Sequence, residues 1–113
     1  MIPQGVRVYL AIGPTDLRKA INGLSVLVQD VLGEELFAGS LFAFCNRARN
    51  RIKILYWDTN GFCLWMKRLE ERQRFRWPKR EEEVLEVEPR ALEWLLAGLD
   101  MSQAHERLNY RLV

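Results

Sequence analysis

The chain has 113 residues, a formal net charge of +2, 49% apolar and 28% charged side chains. That is one domain of ordinary globular composition, which excludes collagen-like, disordered and coiled-coil classes, and it is long enough to bury roughly two thirds of its unfolded surface. No apolar run approaches the roughly 18 residues of a membrane span and no basic-then-apolar leader opens the chain, so a cytoplasmic protein is expected.

The first expected element is a strand over residues 6–12, β-rich and bounded by Gly5 and Gly13-Pro14. A helix is predicted next, with Thr15 as cap and Asp16 in its first turn. Its apolar stripe is Leu17, Ala20, Ile21, Leu24, Leu27, Val28, Val31 and Leu32, at helical spacing over about four turns. Gly33 is the expected stop, and Gly23 is a local cost that close packing would offset. Arg18, Lys19 and Asn22 fall off the stripe and should be exposed. Basic residues at a helix start can hold a phosphate, but Asp16 already supplies negative charge there, so the segment reads as turn and cap.

Residues 41–69 read as a β-meander. Strands at 41–45, 51–57 and 62–69 are joined by the polar loop 46–50 and by Asp58-Thr59-Asn60-Gly61, where Asn-Gly readily accepts positive φ. Arg74-Phe75-Arg76-Trp77 alternates basic and aromatic side chains before Pro78 and fits a short edge strand, through which a homodimer could pair. Residues 79–83 look solvated, 84–87 form a further strand, and Pro89 opens a second helix with Leu92, Leu95, Leu96 and Leu99 as its stripe and Trp94 beside it. The expected fold is a single α+β domain, a mostly antiparallel sheet with two packed helices, with its core over about 6–101 and residues 102–113 as a C-terminal extension.

Little of the sequence suggests catalysis. Cys45 and Cys63 fit no zinc spacing and read as reduced core thiols, although a disulfide between neighbouring strands is geometrically open. His105 reads as a solvated side chain. No glycine-rich phosphate loop occurs, and the aspartates are too scattered to suggest a metal pair. No enzyme, no metal and no cofactor is therefore expected.

Charge is the informative feature. Residues 1–46 carry three basic and four acidic side chains, net −1; residues 47–80 carry eleven and three, net +8; residues 81–113 carry three and eight, net −5. Such asymmetry points to an electrostatic partner for the middle third, either a polyanion or the chain's own acidic third. The two-residue side-chain period puts Arg51 and Lys53 on one face with Leu55 and Trp57, and Ile52, Ile54 and Tyr56 on the other. In 62–68 it separates Cys63, Trp65 and Lys67 from Phe62, Leu64, Met66 and Arg68. Neighbouring strands then present arginine for phosphate and rings for unpaired bases. The competing reading is that the rings face the core and the cations are solvated, or are neutralised by the glutamates between Glu81 and Glu93.

Three blocks carry a family resemblance: Arg7-Val8-Tyr9-Leu10-Ala11-Ile12-Gly13-Pro14-Thr15-Asp16-Leu17-Arg18-Lys19; Leu41-Phe42-Ala43-Phe44 with Arg51-Ile52-Lys53-Ile54-Leu55-Tyr56-Trp57-Asp58; and Gly61-Phe62-Cys63-Leu64-Trp65-Met66-Lys67-Arg68-Leu69-Glu70 with Arg74-Phe75-Arg76-Trp77-Pro78. Over roughly residues 6–101 the chain resembles the small accessory protein, the second open reading frame, of the insertion-sequence-sixty-six family of bacterial mobile elements. The resemblance implies a factor that accompanies a separate large transposase and is required for transposition; it carries over no catalytic residues. The functional expectation is a non-enzymatic DNA-binding accessory factor whose phosphate contacts come from Arg47, Arg49, Arg51, Lys53, Lys67, Arg68, Arg74 and Arg76. The DNA would be element ends or non-specific sequence. The alternative is a protein-interaction module for the transposase or another accessory protein, since arginine and aromatic residues also favour interface hot spots.

Overall fold

Five apolar segments with β-branched or aromatic residues hydrogen-bond into one sheet. In the computed structural model, which describes residues 2–3, 5–32 and 39–101, the elements are β1 (Val8–Ala11), α1 (Ile21–Leu32), β2 (Leu41–Cys45), β3 (Arg51–Asp58), β4 (Gly61–Arg68), β5 (Val84–Val87) and α2 (Pro89–Leu96). The spatial order is β4-β3-β2-β1-β5. β2, β3 and β4 form the expected antiparallel meander. The chain crosses over through α1, so β1 lies parallel to β2, and β5 pairs antiparallel on its other side.

Both faces of the sheet are covered, which makes the fold a mostly antiparallel α+β layer arrangement. Tyr9, Phe42, Phe44 and Leu55 turn to one side and are buried with Leu17, Leu24 and Val28 of α1 and its approach. Val8, Leu10, Ala43, Cys45, Ile52 and Ile54 turn to the other and are buried with Leu92 and Leu95 of α2. The strict alternation of these sets is the side-chain period of a strand. Tyr9 and Phe42, register partners across β1 and β2, stack with ring centroids 5.4 Å apart.

Three local expectations are corrected. The first helix begins at Ile21, and Thr15 does not cap it; its N–H donates to the Cys45 carbonyl at 2.9 Å. The Asp16 carboxylate accepts the Arg18 backbone N–H at 3.0 Å, which closes a separate turn before the helix can start. Leu17 is nevertheless buried under α1 while Ala20 is exposed. The stop expected at Gly33 lies outside the described residues. At Gly23, a Cβ would come within 3.2 Å of the Lys19 side chain, which is the close packing the glycine permits.

In the β3–β4 hairpin Asp58 pairs with Gly61, so the two loop residues are Thr59 and Asn60. The positive φ, 51°, falls on Thr59 and not on the Asn-Gly pair, because Gly61 is already ladder-paired.

Residues 74–77 form no strand. They lie against the α2 side of the sheet, where Phe75 is 1% and Trp77 6% exposed. The Trp77 Nε1–H donates to the Ala11 carbonyl at 3.0 Å, and the Phe75 N–H donates to the Arg49 carbonyl at 2.7 Å. The period of two is real here, but its apolar half is satisfied by the core and not by a neighbouring strand.

Candidate nucleic-acid interface

The loop between β2 and β3, residues 46–50, is built by its asparagines. The Asn46 Oδ1 accepts the backbone N–H groups of Asn50 at 3.0 Å and Arg51 at 3.1 Å, and its Nδ2 donates to the Asn50 Oδ1 at 2.8 Å. The following segment ties it from outside: the Leu69 N–H donates to the Asn50 carbonyl at 2.8 Å, and the Phe75 N–H to the Arg49 carbonyl. Arg49 takes φ 60°, a left-handed conformation that a non-glycine residue adopts only when neighbours enforce it. The loop thus holds its two arginines, Arg47 and Arg49, and the first residue of β3, Arg51, in set positions.

Open clefts flank this loop on either side. One, of about 470 Å³, is lined by Thr15, Asp16, Arg18, Asn46, Arg47 and Arg51. The other, also about 470 Å³, is lined by Arg49, Arg74, Arg76, Lys79 and Asp100 together with the ring-bearing residues between them. Arg68 joins the first side, because it lies directly across the ladder from Arg51 on the same face. Like charges opposite one another destabilise a sheet, and Glu70 offsets part of this by accepting from Arg68 at 2.8 Å.

The structure therefore brings together Arg47, Arg49, Arg51, Arg68, Arg74 and Arg76 around one end of the sheet. Lys53 stands on the Arg51 face, one step inward, with its Nζ donating to the Lys19 carbonyl at 3.0 Å. Lys67 lies on the opposite face, where its Nζ donates to the Leu96 carbonyl at 2.7 Å; it closes the C-terminal end of α2. Sequence reasoning left Lys79 out of the site; its position next to Pro78, in the run that continues Arg74 and Arg76, was the available signal. Arg18 also reaches the first cleft, but it is held by the Asp16 carboxylate through contacts of 2.8–3.2 Å. That guanidinium and the Arg18 backbone N–H keep the Asp16 carboxyl well below the usual carboxylate range.

Internal neutralisation was the competing reading for these cations. Among the described residues, Arg47, Arg49, Arg51 and Arg76 take part in no ion pair. Two glutamates of the acidic third pair elsewhere, Glu86 with Arg7 at 3.0 Å and Glu82 with Arg80 at 3.3 Å, and the acidic side chain of that third that lines the basic clefts is Asp100. The aromatic half of the expected surface is absent from this end, because Phe75 and Trp77 face the core.

Cys45 is a free thiol in the core, and burial pushes it up to about 12, so it is no nucleophile at neutral pH. Cys63 is also free and lies opposite Tyr56. Among the described residues no three His, Cys, Asp or Glu side chains converge as a metal site, and no helix is long and apolar enough to cross a membrane.

The chain is 39% identical over 108 residues to the uncharacterized protein y4hO of Sinorhizobium fredii, covering 94% of this chain and 93% of that protein. It is 32% identical over 104 residues to the uncharacterized protein y4jC of the same organism, covering 92% and 88%. No solved structure matches it. The family model for IS66 Orf2-like proteins matches residues 6–106, and the chain belongs to that family of insertion-sequence transposition accessory proteins, which is not a known enzyme family.

Proposed function

We propose that this protein is a non-enzymatic, cytoplasmic accessory factor that grips the sugar-phosphate backbone of its element's DNA at the end of the sheet around residues 46–50. The observation that carries this reading is the clustering of Arg47, Arg49, Arg51, Arg74 and Arg76 on a pinned loop and its flanks, while Glu82 and Glu86 are taken up by Arg80 and Arg7. Guanidinium groups make bidentate, charge-assisted contacts with phosphate oxygens. The rings that alternate with them are buried, so base stacking has no platform here. Binding should follow the phosphate backbone, with duplex held at least as well as single strand and weak dependence on base sequence.

Fluorescence anisotropy with labelled element-end, scrambled and single-stranded DNA across a salt series tests this. Wild type should bind with a steep salt slope. Converting Arg47, Arg51, Arg74 and Arg76 to glutamate, all exposed positions, should abolish measurable binding; converting them to glutamine should lower the slope by roughly 0.9 per lost phosphate contact. Arg7→Gln and Arg80→Gln, which lie outside the cluster, should bind as wild type. Unaltered binding by the folded glutamate variant would overturn the residue assignment. No wild-type binding at low salt would instead assign the basic surface to an acidic face of the transposase.

A further inference from the structure

The two edges of the sheet are unlike. β5 has four residues and its exposed Glu86 is ion-paired to Arg7, the short and charged form that edges usually take. β4 has eight, and among the described residues no strand pairs with its outer side. Its ladder with β3 is unbroken, so no bulge turns the edge away, and no proline interrupts it. Asp58 and Gly61 close the hairpin; counting along the ladder from that pair, the backbone N–H and C=O groups of Phe62, Leu64, Met66 and Arg68 point away from β3. Beside this open row stand two large apolar side chains, Trp65 at 42% and Met66 at 53% exposure, on opposite faces of the strand.

We infer that β4 is a homodimerisation edge, pairing antiparallel with β4 of a second copy about a two-fold axis at Trp65 to give one continuous ten-stranded sheet. A same-face pairing centred there sets Trp65 against its own symmetry mate, Leu64 against Met66, and Phe62 against Arg68. Every residue with outward backbone groups then meets another such residue, so the ladder is made along the whole strand. The charges agree with this direction. The cations of β4, Lys67 and Arg68, stand at one end, while the other end is the hairpin tip with Asp58 and the edge-to-face rings of Trp57 and Phe62, 5.0 Å apart. Antiparallel pairing brings the basic end of each copy to the acidic, aromatic tip of the other and lays the Arg68 guanidinium over the Phe62 ring. Parallel pairing would set four cations side by side. One patch serves both copies, as a closed two-fold interface requires.

Sedimentation equilibrium of the full chain tests this, with wild type expected at twice the 13.3 kDa chain mass at micromolar concentration. Trp65→Lys places like charges on the axis. Met66→Pro removes an outward N–H without touching the β3 ladder, the position at which an edge strand tolerates proline. Both variants should run as single chains with unchanged circular dichroism. Val26→Lys, an exposed apolar position on α1, should remain dimeric. A wild type of single-chain mass throughout, or a dimer that survives both variants, overturns the inference. Amide exchange of wild type gives a reading independent of how the variants fold: protection of the Phe62, Leu64, Met66 and Arg68 amides should rise with protein concentration, and concentration-independent exposure would equally refute it.

Discussion

The end of the sheet around residues 46–50 and the approach to β5 around residues 81–88 carry opposite charge and use it differently. In the acidic region glutamates meet local or neighbouring arginines: Glu82 with Arg80, and Glu86 with Arg7, all exposed. In the basic region the loop spends its hydrogen bonds on asparagines and backbone, and Arg47, Arg49, Arg51 and Arg76 form no ion pair among the described residues. A chain of net charge +2 can thus hold a positive local field, because Glu82 and Glu86 pair with Arg80 and Arg7 and not with the cations around residues 46–50.

The sharpest way to break this comparison is within the segment 74–77, where alternate residues serve opposite ends. Trp77→Ala should cost about 3–5 kcal/mol of stability, as large-to-small changes in a core do, and loses the bond to the Ala11 carbonyl as well. Arg76→Glu, one residue away and exposed, should leave stability within about 0.5 kcal/mol and weaken DNA binding. Urea unfolding together with anisotropy separates the two; a large stability loss in the arginine variant would show that the cation has a structural partner.

Asn46→Ala tests whether the basic end is preorganised. It strips the acceptor from the Asn50 and Arg51 N–H groups, so about 1–3 kcal/mol of stability should be lost. DNA affinity should fall although no cation has been removed. Normal affinity in this variant would mean that the arginines act without a set loop.

The smallest effect concerns pH. Arg18 holds Asp16, and Arg7 holds Glu86, below the ordinary carboxylate range. A carboxyl depressed in the folded state contributes stability above its unfolded pKa, and that contribution is lost as pH falls through the folded value. The stability gap between wild type and Asp16→Asn, or wild type and Glu86→Gln, should therefore be widest at neutral pH and close in acid, as followed by urea unfolding across pH. A gap that widens in acid would contradict the pairings. Both carboxylates are surface groups, so the gap is small.

Much of the fold was legible because short-range signals were consistent. The meander over 41–69 and the helix opened by Pro89 follow from apolar alternation and from a proline at a first helical turn. The start of α1 was misplaced because Asp16 has two uses, a helix-start anion or an acceptor for the Arg18 N–H, and only the latter is made. The segment 74–77 was misread because a period of two is the same whether the apolar side faces a core or a flanking strand. Among the site residues, Lys67 was grouped with the arginines by proximity in sequence, but strand alternation sends it to the opposite face, where α2 ends.

The sequence by itself determined the α+β class, the family, the accumulation of cations in the middle third and the side-chain faces of each strand, since all of these depend on composition, on block order or on a period of two. Tertiary structure alone decided that β1 lies between β2 and β5, that Glu86 pairs with Arg7 across the chain, and that Arg47, Arg49, Arg51, Arg74 and Arg76 surround one loop. Those are relations between residues far apart in the chain. They arise from which apolar faces bury together, a choice that local propensity does not encode.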